Sequence, residues 1–178
     1  MPVKVDELLE VTIESISHQG EGVAKFQGNT VFVPYGAPGD LVRIRVLSAK
    51  KNYARGLIEE ILRPGQRIRA KCPWFEQCGG CNLQHLGYDL QLTAKTAGVR
   101  TTLKRIGGIN PDIVGEALPT GPWHYRNKLQ AQVGLEEDRL AVGLFAPGSH
   151  NLIPVEDCLI QRRSTNEYAL IIADIARE

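Results

Sequence analysis

Residues 41–50, LVRIRVLSAK, set Val42, Ile44 and Val46 in alternation with Arg43 and Arg45. Successive side chains of an extended strand point to opposite faces, so this pattern predicts a strand with an apolar inner face and an outer row of guanidinium groups. Flanking stretches read the same way. LLEVTIESIS (8–17), GVAKF (22–26), TVFVPY (30–35) and YARGLIEEIL (53–62) are rich in β-branched residues and partly alternate. Between them stand Gly20 and Gly22, Gly28-Asn29, and GAPGD at 36–40. Gly28-Asn29 suits a tight hairpin turn with positive φ.

Five such strands within residues 8–63 predict a small all-β barrel, closed or partly open, of the OB type. Hydrophobic residues at 43% and charged residues at 23% fit a soluble globular chain, not a disordered one. There is no apolar run of about 18 residues, so neither a bilayer span nor a membrane partner is expected. The opening MPVKVDELLE is acidic and lacks the apolar segment of a secretory signal. A cytoplasmic setting follows, where thiols stay reduced and clustered cysteines more often bind metal than form disulfides.

The net charge of +1 hides an uneven distribution. Residues 1–40 carry −4, residues 41–71 carry +7 and residues 72–178 carry −2. A basic block in a near-neutral chain predicts a polyanion partner, with a solvated strand face as the alternative. Lys50, Lys51 and Arg55 crowd the turn after Arg43 and Arg45, which predicts one basic rim.

RPGQRIRA (63–70) reads as a boundary and basic linker, dividing the chain into a barrel (1–64), a linker with a cysteine loop (65–86) and a second domain (87–178). GYDLQLTAKTAGVRTTLKRIGG (87–108) predicts a helix, with Leu86, Leu90, Ala94, Ala97, Leu103 and Ile106 near helical spacing and Gly107-Gly108 ending it beside Lys104 and Arg105. DIVGEAL (112–118), YRNKLQAQVGLE (125–136), RLAVGLFAP (139–147) and HNLIPVEDCLIQ (150–161) predict strands, with Glu136, Glu137 and Asp138 as a turn. STNEYALIIADIARE (164–178) predicts a helix N-capped by Ser164 or Thr165. This half is therefore expected to be α+β with an antiparallel sheet. The uncapped end at Glu178 reads as a cut.

KCPWFEQCGGCNLQH (71–85) holds Cys72, Cys78 and Cys81 in the spacing C-x5-C-x2-C, and Cys158 follows far downstream. Four thiolates suffice for tetrahedral zinc or a [4Fe–4S] cluster. All-cysteine zinc sites usually use two short-spaced pairs, so a trio plus one remote cysteine favours iron–sulfur over zinc. Gly79 and Gly80 are expected to let backbone N–H groups approach the sulfurs and to take strained φ values. Ordinary buried cysteines or a disulfide are the bland alternatives. His85 is near enough in sequence to substitute as a ligand but is more readily just polar, and His18, His124 and His150 carry no signal alone.

These residues together resemble the front part of the RNA (uracil-5-)-methyltransferases. GEGVAKFQGNTVFVPYGAPGD (20–40) resembles a TRAM domain, an RNA-binding OB-like module, and CPWFEQCGGCNLQHLGYDLQL (72–92) resembles the family's [4Fe–4S] loop. WHYRNKLQAQVGL (123–135) and VGLFAPGSHNLIPVEDCLIQ (142–161) resemble its central domain. The resemblance implies a [4Fe–4S] cluster on Cys72, Cys78, Cys81 and Cys158, and RNA as partner, most closely 23S rRNA, although some transfer-RNA members share both parts. It implies phosphate contacts from Arg43, Arg45, Lys50, Lys51 and Arg55, a track continued by Arg67, Arg69 and Lys71, and further contacts from Arg126 and Lys128. Trp74, Phe75, Tyr53 and Tyr125 are candidates to stack unpaired bases, though each is more readily core.

Family members also carry a Rossmann-type domain with the S-adenosylmethionine site, a nucleophilic cysteine and a general base. No glycine-rich strand-to-helix turn of that kind occurs in this sequence. The resemblance thus implies a fragment of a longer enzyme, using S-adenosylmethionine only at full length and inactive alone; the sequence does not fix an oligomer, and a monomer is the expectation. Two other classes compete: an electron-transfer protein, disfavoured by the basic block, and a non-enzymatic RNA-binding module with structural zinc. Radical S-adenosylmethionine enzymes need C-x3-C-x2-C, which is absent.

Overall fold

Alternation builds the first half of the chain. The computed structural model describes residues 3–136 and 139–177. Strands β1 (Leu8–Ile16), β2 (Gly22–Phe26), β3 (Asn29–Val33), β4 (Leu41–Ala49) and β5 (Tyr53–Arg63) form a closed barrel in the order β1-β2-β3-β5-β4. The β3–β5 pair is parallel and the others are antiparallel, with β1 against β4 closing the ring. Val42, Ile44 and Val46 point inward, as expected, and meet Leu9, Val11, Ile13, Val31 and Val33 in a dry core. Burying each such side chain stabilises the barrel by roughly 1.5–3 kcal/mol. The β2–β3 turn is one residue earlier than expected. Phe26 pairs with Asn29, so the turn residues are Gln27 and Gly28, at φ 47° and 84°. A two-residue hairpin of this hand needs positive φ at both places.

By packing, the chain forms two units: Met1–Arg69 with Asn82–Pro119, and Ala70–Cys81 with Thr120–Glu178. The segment 82–119 thus groups with the barrel, which differs from the expected division at 65–86 and 87–178. Hydrogen bonds give the reason. Gln66 N–H donates to Pro38 O, Ile68 N–H donates to His85 O, and Arg67 bridges to Leu86. The expected linker is therefore laid against the barrel's 36–40 loop, and a Cβ on Gly65 would overlap the backbone of Gly39 and Asp40.

Helix α1 (Tyr88–Gly107) ends as expected: Gly108 is left-handed at φ 62°, and Ile109 N–H donates to Leu103 O. Its expected apolar stripe is not its buried face. Thr96 is the buried residue of α1, while Ala97 is exposed and Ile106 is 84% exposed. Thr96 Oγ accepts from Ala117 N–H, and Arg100 donates to Val114 O. Helix side chains thus satisfy the backbone of the expected strand 112–118, which instead forms a short 3-10 turn, Pro111–Ile113, and irregular chain.

In the second unit β6 (Gln132–Glu136), β7 (Arg139–Phe145) and β8 (Leu152–Pro154) make an antiparallel sheet, with α2 (Arg163–Arg177) packed on β7. The expected antiparallel sheet is present, but with shorter strands than 125–136 and 150–161. Glu137 and Asp138 of the expected acidic turn lie outside the described residues. Helix α2 starts at Arg163, so Ser164 and Thr165 stand inside its first turn rather than capping it. Among the described residues no helix is long and apolar enough to cross a membrane.

Candidate thiol centre and nucleic-acid interface

The loop bearing Cys72, Cys78 and Cys81 and the turn bearing Cys158 belong to the same unit. Within the loop, Cys78 N–H donates to Trp74 O at 2.8 Å and Phe75 N–H donates to Cys72 O at 3.2 Å. Gly79 N–H then donates to Phe145 O at 3.0 Å, fixing the loop to the end of β7. A Cβ on Gly79 would stand 2.9 Å from that oxygen. Close approach explains this glycine. The strained φ expected at Gly79 and Gly80 is not found, since neither has positive φ. Gly80 N–H does reach a sulfur, donating to Cys78 Sγ at 3.4 Å.

Cys158 is held by α2. Asn166 Nδ2 donates to Asp157 Oδ1 at 2.6 Å and to Cys158 O at 3.2 Å, while Gln161 N–H donates to Cys158 O at 2.9 Å. The following residues pair in parallel with 124–128. His124 N–H donates to Leu159 O, Arg126 N–H to Ile160 O, and Arg162 N–H to Arg126 O. Two side chains lock the ladder: His124 Nδ1 donates to Gln161 O at 2.8 Å, and Gln161 Nε2 donates to Lys128 O at 3.2 Å.

All four cysteines are free thiols. Burial pushes the Cys78 thiol up, the Gly80 N–H draws it back, and Cys158 and Cys72 push it up again. Both thiols are thus within electrostatic reach of Cys78. Four soft donors in one unit, with a backbone N–H on a sulfur, fit a thiolate-bound metal in chemistry. Among the described residues, however, no three His, Cys, Asp or Glu side chains are grouped to hold an ion. His85 lies in the barrel unit, buried, with Nε2 donating to Gly36 O at 3.4 Å and Tyr35 edge-on. Burial lowers its pKa, as for a core histidine.

The basic rim is more complicated than charge counting implied. Arg43 stands opposite both Glu10 and Glu60 in the strand register and pairs with each. Arg45 pairs with Glu59 and Arg55 with Glu21. Glu10, brought beside Arg43 by the β1–β4 pairing, and Glu21 come from the acidic first block, while Glu59 and Glu60 come from within the basic block itself. Arg67 is engaged most deeply. It donates to Tyr35 O at 2.9 Å and to fully buried Asp40 at 2.8 Å, which also accepts from Ala37 N–H and Gly65 N–H. Burial would raise the Asp40 pKa, but Arg67 and the two N–H donors hold it below the usual carboxylate range.

Lys50, Lys51 and Arg69 are exposed. In the second unit Lys71 Nζ lies 5.4 Å from the Trp123 ring centroid, and the Arg126 guanidinium lies 6.0 Å from that of Tyr125. Lys128, Arg162 and Arg163 are exposed beside them in sequence and ladder. Tyr53 is exposed with its edge toward Phe32, Tyr125 is exposed, and Trp74 and Phe75 are half-buried. Sequence reading missed Asp40, Gln161 and Asn166. Only Asn166 left a signal, as the third residue of the Ser-Thr-Asn run at the expected helix start.

Residues 2–58 match the TRAM domain family. An uncharacterized RNA methyltransferase of Halalkalibacterium halodurans is 38% identical across 99% of this chain and 39% of its own length. Another, from Bacillus cereus, is 42% identical across 90% of this chain and 35% of its own. The chain is thus similar to RNA methyltransferases along nearly its whole length, and its first third matches the TRAM domain family. This agrees with the RNA (uracil-5-)-methyltransferase resemblance carried by its motifs. Among solved structures, the Pyrococcus abyssi tRNA (uracil-54, C5)-methyltransferase, determined with S-adenosyl-L-homocysteine, shares the fold over 93% of this chain and 36% of its own, with a TM-score of 0.57 at 24% identity. The chain thus spans between about a third and two-fifths of the length of the relatives it matches.

Proposed function

We propose that this chain is the RNA-binding and iron–sulfur portion of an S-adenosylmethionine-dependent RNA (uracil-5-)-methyltransferase that makes 5-methyluridine in 23S rRNA. One observation carries the reading: a TRAM domain on a closed barrel, in a chain that matches RNA methyltransferases along 99% of its length. Cys72, Cys78, Cys81 and Cys158 would hold a [4Fe–4S] cluster, a choice supported by their free thiols, their shared unit and the Gly80 N–H on Cys78. The cluster, when bound, supplies a cross-link between the cysteine loop and the turn before α2. Methyl transfer to uracil is redox-neutral and asks no electron of it. The S-adenosylmethionine site and the nucleophile belong to other parts of the full-length protein.

Within this reading, the exposed cations Lys50, Lys51, Arg69, Arg126 and Lys128 are the readiest phosphate contacts. Arg43, Arg45 and Arg55 would have to exchange a carboxylate for a phosphate, and Arg67 serves the barrel's own structure. The test is incubation of the full-length protein with S-adenosylmethionine and transcripts of 23S rRNA and tRNA, followed by mass mapping. A methyl group on C5 of a 23S uridine supports the proposal. Methylation confined to tRNA transfers it to the tRNA-directed branch, and modification of another base overturns it.

A further inference from the structure

The barrel's arginine row and a basic row of the second unit differ in whether their charges are already neutralised. On the barrel, Arg43, Arg45, Arg55 and Arg67 each sit against a carboxylate. Such cations release fewer counterions on meeting RNA, because the carboxylate must first be displaced. In the second unit Arg126, Lys128, Arg162 and Arg163 form no ion pair among the described residues. The parallel ladder joins them: Arg162 N–H donates to Arg126 O, and Gln161 Nε2 donates to Lys128 O. Ile160 and Gln161 are buried in that ladder, while the four basic side chains are exposed.

Aromatic rings are interleaved with these charges. Tyr125 is exposed, with the Arg126 guanidinium over its ring, and half-buried Trp123 carries the Lys71 ammonium. The arginine placement also runs against local preference. Arg162 and Arg163 stand at the start of α2, whose first turn has no acidic residue, although cations are disfavoured at that end of a helix. Breaches of local rules concentrate at functional sites.

We propose that Trp123, Tyr125, Arg126, Lys128, Arg162 and Arg163 form a single-strand RNA-binding strip, and that this strip, not the barrel's arginine row, supplies most of the salt-dependent affinity. The inference rests on the RNA-binding reading above and names the surface and the form of RNA. Alternating positive charges and accessible rings suit a chain of phosphates with unpaired bases, whose faces a duplex would hide.

The experiment measures binding of the chain to a labelled oligouridine and to a blunt RNA duplex across a potassium chloride series. For R126A/K128A/R162A/R163A, loss of four phosphate contacts should reduce the slope of log affinity against log salt by about 2–3. The R43A/R45A/R55A variant should change it by less than about 1. Tyr125→Ala should weaken oligouridine binding roughly tenfold and Tyr125→Phe should not. Replacing Arg126, Arg162 and Arg163 by Lys keeps the charges and should keep the slope, which separates lost contacts from lost folding. The inference is overturned if the barrel variant flattens the slope and the strip variant does not, or if duplex is preferred. Failure of the unmodified chain to bind either RNA would remove the underlying RNA-binding reading as well.

Discussion

In the barrel, ten apolar side chains from all five strands are at most 3% exposed and meet in one cluster. In the second unit Ala141, Ile160 and Ala173 are buried, while Leu135 is 70% exposed and Ile175 67% exposed. Both units use mostly antiparallel strands with partial alternation. They differ in closure. A sheet that returns on itself pairs its own edges and encloses a core, whereas a three-stranded sheet under one helix leaves apolar surface outside. The second unit is instead held by discrete ties: Gly79 to Phe145, Asn166 to the Cys158 turn, and Gln161 to Lys128. Units with thin cores depend on staples, and a metal on the four thiols would be the strongest one available here.

Both tryptophans, Trp74 and Trp123, lie in the second unit, so their fluorescence reports that unit while the barrel can be followed by circular dichroism. The largest effect is expected at Asp40. Asp40→Ala leaves Arg67 and two backbone donors without their shared acceptor and should cost the barrel about 3–5 kcal/mol in a urea titration. The unmodified barrel should also lose stability in acid. The folded Asp40 pKa lies below the ordinary 3.8, so its contribution is complete above that value and fades as pH falls through the lower folded one. Ile44→Ala, in the centre of the barrel, should cost roughly 2–5 kcal/mol with the tryptophan signal unmoved. Gly79→Ala should do the reverse, shifting the tryptophan transition by about 1–3 kcal/mol as its Cβ meets Phe145 O. The smallest effect is Ile171→Ala on the exposed face of α2, within about 0.5 kcal/mol. A large loss there would mean that this face is covered, and the contrast between the units would weaken.

The barrel was legible because alternation carries both strand position and facing, as Val42, Ile44 and Val46 illustrate. Its charge pairing was not. Glu10 meets Arg43 only once β1 is known to lie beside β4, a fact of topology that no local window contains. The second half misled for a related reason. Residues 112–118 and 125–131 have strand-like composition, but the side chains of Thr96, Arg100 and Gln161 satisfy backbone groups there, and Arg126 pairs irregularly with Ile160 and Arg162. The cysteine spacing pointed to one neighbourhood, and the loop of Cys72, Cys78 and Cys81 shares a unit with the Cys158 turn. The tie from Asn166 to Cys158 needed the observed start of α2, two to three residues before the expected N-cap could have placed it.

The account turns on whether the open second unit is cross-linked by an inorganic centre. Anaerobic purification of the chain, with iron, acid-labile sulfide and zinc measured beside visible absorption, asks this directly. The prediction is a brown protein with about four iron and four sulfide per chain, and loss of both in Cys158→Ser with an earlier tryptophan transition. A colourless protein with one zinc, or full cluster retention by Cys158→Ser, would contradict it.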